Sequence, residues 1–474
     1  MLPPGPSLPA VAQLAQWLTR PIPFLNECAH RYGSAFTVDF PFWGKAVCVS
    51  EPEHVRQVFA GDPNVLHGGK ANEIIAPVLG PNSITVLDGP EHKRQRRLLM
   101  PPFHGERLQS HAKIIRDVTA RSVKEWPVNA PFCMLDHLQK ITLEVIARSV
   151  FGKDETSGMG DFLEQLRRLA NTANSPWLFV KQLQWDLGPR SPWGAIKEQI
   201  RITEQMLYDE MARRRARGNL GPRHDVFSLL LQARDEAGEP MTDREIRDEL
   251  MTLLVSGHET TATTLAWVVS MVLAHPHVHD RLREELAMVI GDAYPSPDHF
   301  PRLHYLDAII KESMRLRPLF PMVARLVKAP FKVGPYVLPP GTVVMPCVHL
   351  THRRPELYPD PEMFKPERFL HVKPDPATWY PFGGGARRCL GMTFALYEMR
   401  VILATMFHSV RIEATSRELP KVVRRGISLV PDGGARVVLS SRAEHKLHSL
   451  RPPSMRPPSM RPPSLRAPHH ARVA

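Results

Sequence analysis

The 474-residue sequence predicts a mainly α fold with small β-sheets near both ends of the chain. Three observations carry that prediction. Apolar residues recur at helical spacing through most of residues 90–315, β-type runs flank that region on both sides, and no alternation of strand and helix marks a parallel sheet. With 43% hydrophobic and 23% charged residues, the chain has enough apolar bulk for a large core.

In chain order, "AFTVDF" (35–40) and "AVCVS" (46–50) surround a Phe-Trp-Gly-Lys turn and predict an early hairpin. Amphipathic stretches such as "EQIRITEQMLYDEMARRRA" follow. "TDREIRDELMTLLVSGHETTATTLAWVVSMVLAHP" predicts one long helix, opened by a capping box of Thr242 and Glu245 and stopped by Pro276. At about 1.5 Å per residue it spans roughly 50 Å, the width of a domain. "FKVGPYVLPPGTVVMP" predicts a second hairpin, and "GISLVPDGGARVVLS" a third with Asp-Gly-Gly at its turn. From about residue 441 the character changes. "RPPSMRPPSMRPPSL" is one five-residue unit written three times, too rich in proline for helix and too poor in apolar bulk for a core. A folded domain over 1–440 and a disordered basic tail over 441–474 are therefore expected.

Bulk properties narrow the function. The five cysteines (28, 48, 133, 347, 389) include no CxxC, which argues against a disulfide framework and against multi-cysteine zinc or iron–sulfur sites. Net charge is +13, and five arginines from Arg451 onward leave the body at +8. No zinc-finger spacing or basic-aromatic signature accompanies that charge, so nucleic acid is not the expected partner. "MLPPGPSLPAVAQLAQWL" has no charged leader region and no apolar run near the ~20 residues of a membrane span. Leu250–Ala274 contains His258, Glu259 and several threonines, costly in lipid, and reads as a buried soluble helix.

Two stretches carry chemistry. In "FGGGARRCLG" (382–391) the glycines belong where the chain turns tightly or lies close against something, and the arginines would hold a thiolate or grip an anion. Cys389 in that setting reads as a metal ligand. A small buried apolar residue is the plainer alternative, and it leaves the glycines unexplained. In the long helix, Ser256-Gly257-His258-Glu259-Thr260-Thr261 sets a carboxyl and hydroxyls between apolar ends. Gly257 lets another group approach the helix backbone, and Thr260 can take the Ser256 carbonyl and bend the helix. Alone, this stretch is either an acid–alcohol pair relaying protons into a buried site or a polar seam between packed helices.

Read together, the two stretches resemble the cytochrome P450 family. Phe–Gly–x–Gly–x–Arg–x–Cys–x–Gly is its haem-binding signature, and residues 382–391 meet every fixed position. The Gly257–Thr261 stretch resembles its oxygen-activating helix, with Ser256 where the family usually has Ala or Gly. "KESMRLRP" supplies Glu312 and Arg315, "FKPERF" supplies Arg368, and "DGPEHKRQRRLL" supplies His92 and Arg96. The likeness covers about residues 1 to 440. It implies a fold whose long central helix crosses above haem b, with Cys389 as axial thiolate and Phe382 shielding the sulfur. Gly383 and Gly391 would belong to the cofactor loop, and His92, Arg96, Arg325 and Arg387 would face the haem propionates. Read alone, "HKRQRR" is also an ordinary solvated basic face. Glu312, Arg315 and Arg368 would form a buried charge network serving folding and haem retention. Glu259 and Thr260 would be the catalytic proton route.

The resemblance further implies a monooxygenase that hydroxylates or epoxidises a hydrophobic substrate with O2. Its electrons would pass from NAD(P)H through a ferredoxin or flavodoxin and its reductase, attracted by Arg387, Arg388, Lys93, Arg94 and Arg97. A peroxide-driven peroxygenase and a non-catalytic haem-thiolate sensor are the alternatives, and the Glu259–Thr260 pair speaks against both. "NEIIAPVLGPNSITV", "SPWLFVKQLQW", Leu254, Val255, and "PLFPMVA" with Phe320 and Val323 are apolar enough to wall a substrate pocket. A fatty acid or terpenoid is favoured, with Lys70, Lys181 and Arg190 as possible carboxylate anchors. A soluble, cytoplasmic monomer like the bacterial members is expected, although "LPPGP" resembles the hinge that follows the anchor of membrane-bound relatives.

Overall fold

The early hairpin forms because Phe36, Val38 and Phe40 alternate onto one face, where all three are buried. Ala35–Phe40 runs antiparallel to Gly44–Val49. The computed structural model describes residues 1–41, 43–103, 107–152, 159–173, 184–216 and 225–442. The proline-rich repeats, Lys181 and most of "SPWLFVKQLQW" lie outside the described residues. The last strand, Arg436–Arg442, runs two residues past the expected end of the folded domain.

The second predicted hairpin is only partly a hairpin. Phe331–Val333 pairs with Tyr336–Leu338, but Val343–Pro346 crosses to lie parallel to Gly44–Val49. Its four residues are all buried, so the larger sheet offers this strand more than a third place in a small ribbon. That sheet has five strands and also holds Arg325–Val327, which fixes where Arg325 begins.

The third predicted hairpin is not formed. Ser428–Pro431 pairs with Val422–Arg425, while Arg436–Arg442 pairs with Val410–Ala414 and Pro131–Cys133. Asp432–Gly434 carries the chain between two sheets, with left-handed backbone at Gly433 and Gly434. The same turn residues serve a hairpin or a crossing; Val437 and Leu439 settle it by burying themselves in the helical core.

The long helix is observed over Asp243–Ala274, with both halves of the Thr242–Glu245 capping box made. From Ala262 to Val272 every residue is buried. It packs closely against Met134–Phe151 and also meets Met392–Ser409, which begins just after Cys389. Among the described residues no helix is long and apolar enough to cross a membrane.

Candidate active site

The middle of the central helix interrupts that burial. Ser256 is exposed and Thr260 and Leu253 are half-buried, although they sit mid-helix. At 100° per residue the three share one face, so that face lines a concavity. Leu254 lies elsewhere than expected. It is 1% exposed and packed in the core, nearly opposite Ser256 on the helix, and Leu253 takes the place expected of it. Val255, Phe320 and Val323 are half-buried. Lys70 pairs with Glu73 at 2.7 Å on the surface and Arg190 is exposed, so neither is held inside the domain.

Hydroxyls run down the helix in an i, i+4 row. Thr252 donates to Asp248 O at 2.7 Å, Ser256 to Thr252 O, Thr260 to Ser256 O at 2.7 Å, and Thr264 to Thr260 O at 2.8 Å. Thr142 from the neighbouring helix adds a bond to His258 O at 3.0 Å. Such back-bonding weakens the helix ladder locally. The group that approaches Gly257 is Ile146, which a β-carbon there would meet at 3.0 Å. Glu259 points around the helix from Thr260, where its Oε2 accepts from Gln139 Nε2 at 2.6 Å.

In the loop 382–391, Cys389 alone of the five cysteines is exposed. Desolvation by surrounding protein nevertheless dominates its thiol and pushes the pKa up. Exposure with desolvation describes the wall of a concavity. The Gly391 N–H, Arg96 and Arg388 act in the opposite sense and favour thiolate. Phe382 is half-buried against Trp379 and its carbonyl accepts the Cys389 N–H at 2.9 Å. The close approach that demands glycine here is to Phe59. A β-carbon on Gly384 would fall 2.3 Å from its ring, and one on Gly385 2.1 Å from its carbonyl oxygen.

Around Cys389 the basic residues converge. His92 is buried, and burial together with Arg387, Arg96 and Arg325 pushes its pKa down to about 4. It is therefore a neutral imidazole with one N–H to give. Arg325 is 9% exposed, and burial plus repulsion from Arg387 lowers its pKa to about 10. Burial also lowers Arg387 and Arg96, each pushed the same way by another arginine. Among the described residues, the carboxylate that offsets Arg325 and Arg387 is Asp88, paired with Arg387 and accepting from the Gly69 and Lys70 N–H groups at 2.9 and 2.8 Å. Three partly desolvated guanidiniums against one carboxylate leave positive charge unbalanced beside an accessible thiol. That donor set fits a ligand with a metal for the sulfur and carboxylates for the arginines, which is the chemistry of haem.

Of the five basic residues expected to attract an acidic partner, three are already engaged. Arg387 faces inward, Arg94 pairs with Asp235 and Glu245, and Arg97 pairs with Glu236. Lys93 and Arg388 remain exposed with no acidic partner among the described residues.

Glu312, Arg315 and Arg368 do meet. Arg315 grips Glu312 through two bonds of 2.7 and 2.8 Å, both side chains are fully buried, and Arg368 Nε lies 3.4 Å from Glu312. The remaining Arg315 donors reach the carbonyls of His352 and Pro361, both at 2.7 Å. Sequence reasoning missed Asp88, Gln139 and the His352–Tyr380 contact, where Tyr380 N–H donates to His352 at 3.0 Å. Only the Asp immediately before the Gly-Pro helix start, an N-cap position, hinted at the first.

The cytochrome P450 family profile matches residues 2–437. The chain is 38% identical over 439 residues to the Mycobacterium tuberculosis protein named cytochrome P450 135B1, covering 92% of this chain and 91% of that one. It is 37% identical to cytochrome P450 137 of the same organism over 86% and 83% of the two chains. A structure described as retinoic acid bound cyanobacterial CYP120A1 shares the fold, with TM-score 0.80 and 23% identity over 93% of this chain and 99% of the other. The chain belongs to the cytochrome P450 family of haem-thiolate monooxygenases.

Proposed function

We propose that this monooxygenase inserts one atom of O2 into a fatty acid or terpenoid, using two electrons that originate from NAD(P)H and arrive through a separate ferredoxin or flavodoxin. The observation that carries the reading is the presence of two surfaces in one molecule. One presents the Cys389 sulfur ringed by unbalanced arginines; the other presents hydroxyls from a helix that is otherwise apolar. Bound haem would supply the iron at which O2 is reduced.

Everything else falls to the chain. Cys389 would be the sulfur donor, its anionic form favoured against desolvation by the Gly391 N–H, Arg96 and Arg388. His92, Arg96, Arg325 and Arg387 would hold the two propionates and orient the ring. Thr260 gives its own proton to the Ser256 carbonyl, so its oxygen is free to accept a hydrogen bond from the cavity side. Glu259 would bring each proton to that hydroxyl through water. The half-buried apolar residues Leu253, Phe320 and Val323 exclude bulk water and suit a hydrocarbon substrate. The ligand named for the cyanobacterial neighbour, retinoic acid, is a terpenoid acid. Exposed Lys93 and Arg388 would steer an acidic donor with salt-dependent affinity.

Thr260→Ala tests the proton route. It should retain haem and consume reducing equivalents while releasing them largely as peroxide. Product formation still tightly coupled to NAD(P)H oxidation would remove Thr260 from the mechanism.

A further inference from the structure

Glu259 does not turn toward Thr260. Its carboxylate lies between two other elements, the helix Met134–Phe151 and the strand Val422–Arg425 of the C-terminal hairpin. Oε2 is taken by Gln139 at 2.6 Å. Oε1 is buried and makes no hydrogen bond among the described residues, and the Arg425 guanidinium stands 3.9 Å from it. That gap is too long for a direct bond, so the lone pairs of Oε1 stay open to a proton donor. Among the described residues, the titratable groups within 4 Å of this carboxylate are Arg425 and His258, whose Nε2 is 3.9 Å from Oε2. His258 is buried, and desolvation keeps it neutral. Arg425 is therefore the single full charge at the site, and at 34% exposure it also reaches solvent.

We propose that Arg425 is a positioning residue for oxygen activation: with Gln139 it holds the Glu259 carboxylate, and the gap between hairpin and helix is the side from which its protons arrive. The inference rests on the reading of Glu259 as proton carrier. The step balances simply. One proton passes from water to Oε1 and one leaves the carboxyl toward Thr260, so Glu259 ends each transfer as it began. The hairpin thereby gains a place in the chemistry without touching the reacting atoms.

The test uses the intact ferric holoprotein and needs no substrate. The carboxylate infrared band of Glu259 is identified by difference against Glu259→Gln and titrated with pH. Removing a cation this close favours the protonated form, so in Arg425→Met the midpoint should rise by about one pH unit. Arg425→Lys should hold it near the wild-type value. Gln139→Leu, which removes a bond to the charged oxygen, should raise it as well and serves if Arg425→Met does not fold. Reoxidation of the dithionite-reduced protein by O2 should show its pH profile moving with the band. A band that stays in place in folded Arg425→Met overturns the proposal, because a merely structural Arg425 would change melting and nothing else. If the band moves but Glu259→Gln leaves the reoxidation profile and its solvent isotope effect untouched, the proton-carrier reading falls and the holding role of Arg425 stands.

Discussion

Two regions of the molecule bury arginines and settle their charge in opposite ways. Around Arg315 the account closes within the protein: one carboxylate in two bonds, two backbone carbonyls, and Tyr358 with its ring 4.9 Å away. Around Arg325 and Arg387 it does not close: Asp88 and the Ile84 and Leu87 carbonyls meet Arg387, while Arg325 bonds the Ala324 and Gly384 carbonyls and is repelled by Arg387. The same side chain thus does two jobs. Where every donor is met the pair fixes the fold, and where charge is left over the site is built for an anion that the chain does not itself contain.

Breaking the closed region should have the largest effect. Glu312→Ala strands a fully buried Arg315, and such a loss costs about 3–5 kcal/mol. Urea unfolding should show it, along with poor haem retention in the purified protein. A midpoint near wild type would mean that the network is not what holds this corner of the fold.

The open region should respond with a split. Arg325→Met removes a charge-assisted contact worth about 1.5–3 kcal/mol to a bound anion, equivalent to roughly 10- to 100-fold faster haem loss. The apoprotein should be no less stable, because a repelling charge has gone from beside Arg387. Haem transfer to an apoglobin and melting of the apoprotein measure the two halves. Equal losses in both would erase the distinction between the regions.

Acid sharpens it further. His352 must stay neutral, since it accepts from Tyr380 N–H, and burial with Arg315 nearby lowers its pKa to about 3. The unfolded chain takes up that proton near pH 6.5, so this contribution is full above 6.5 and is lost as pH falls toward 3. The slope is about 1.4 kcal/mol per pH unit for this one group. Urea midpoints at several pH values between 7.5 and 5 should flatten by one proton in His352→Gln. An unchanged slope would place the proton uptake elsewhere, His92, His258 and His349 being further buried imidazoles with lowered pKa.

Much of the site was legible because its motifs are local. The loop 382–391 and the Glu259–Thr260 pair declare themselves within a few residues, and so does the Glu312–Arg315 spacing along one helix. What sequence missed lies far apart in the chain: Asp88 with Arg387, Gln139 with Glu259, Glu259 with Arg425. No spacing rule reaches across a hundred residues or more. Leu254 was misplaced because two adjacent leucines on a helix are interchangeable in composition, while their directions differ by 100°. The third hairpin failed for a related reason. Asp-Gly-Gly specifies a turn, and the strands it joins choose their partners by which sheet can bury Val437 and Leu439.

The central claim is that the Cys389 sulfur binds haem iron as thiolate. The direct measurement is the absorption of the dithionite-reduced protein under carbon monoxide, compared with Cys389→His. The account predicts, for the native chain, the long-wavelength Soret band that an anionic sulfur donor produces, and its loss in the variant. A native spectrum of the imidazole-ligated type, or one that Cys389→His leaves unchanged, would contradict it.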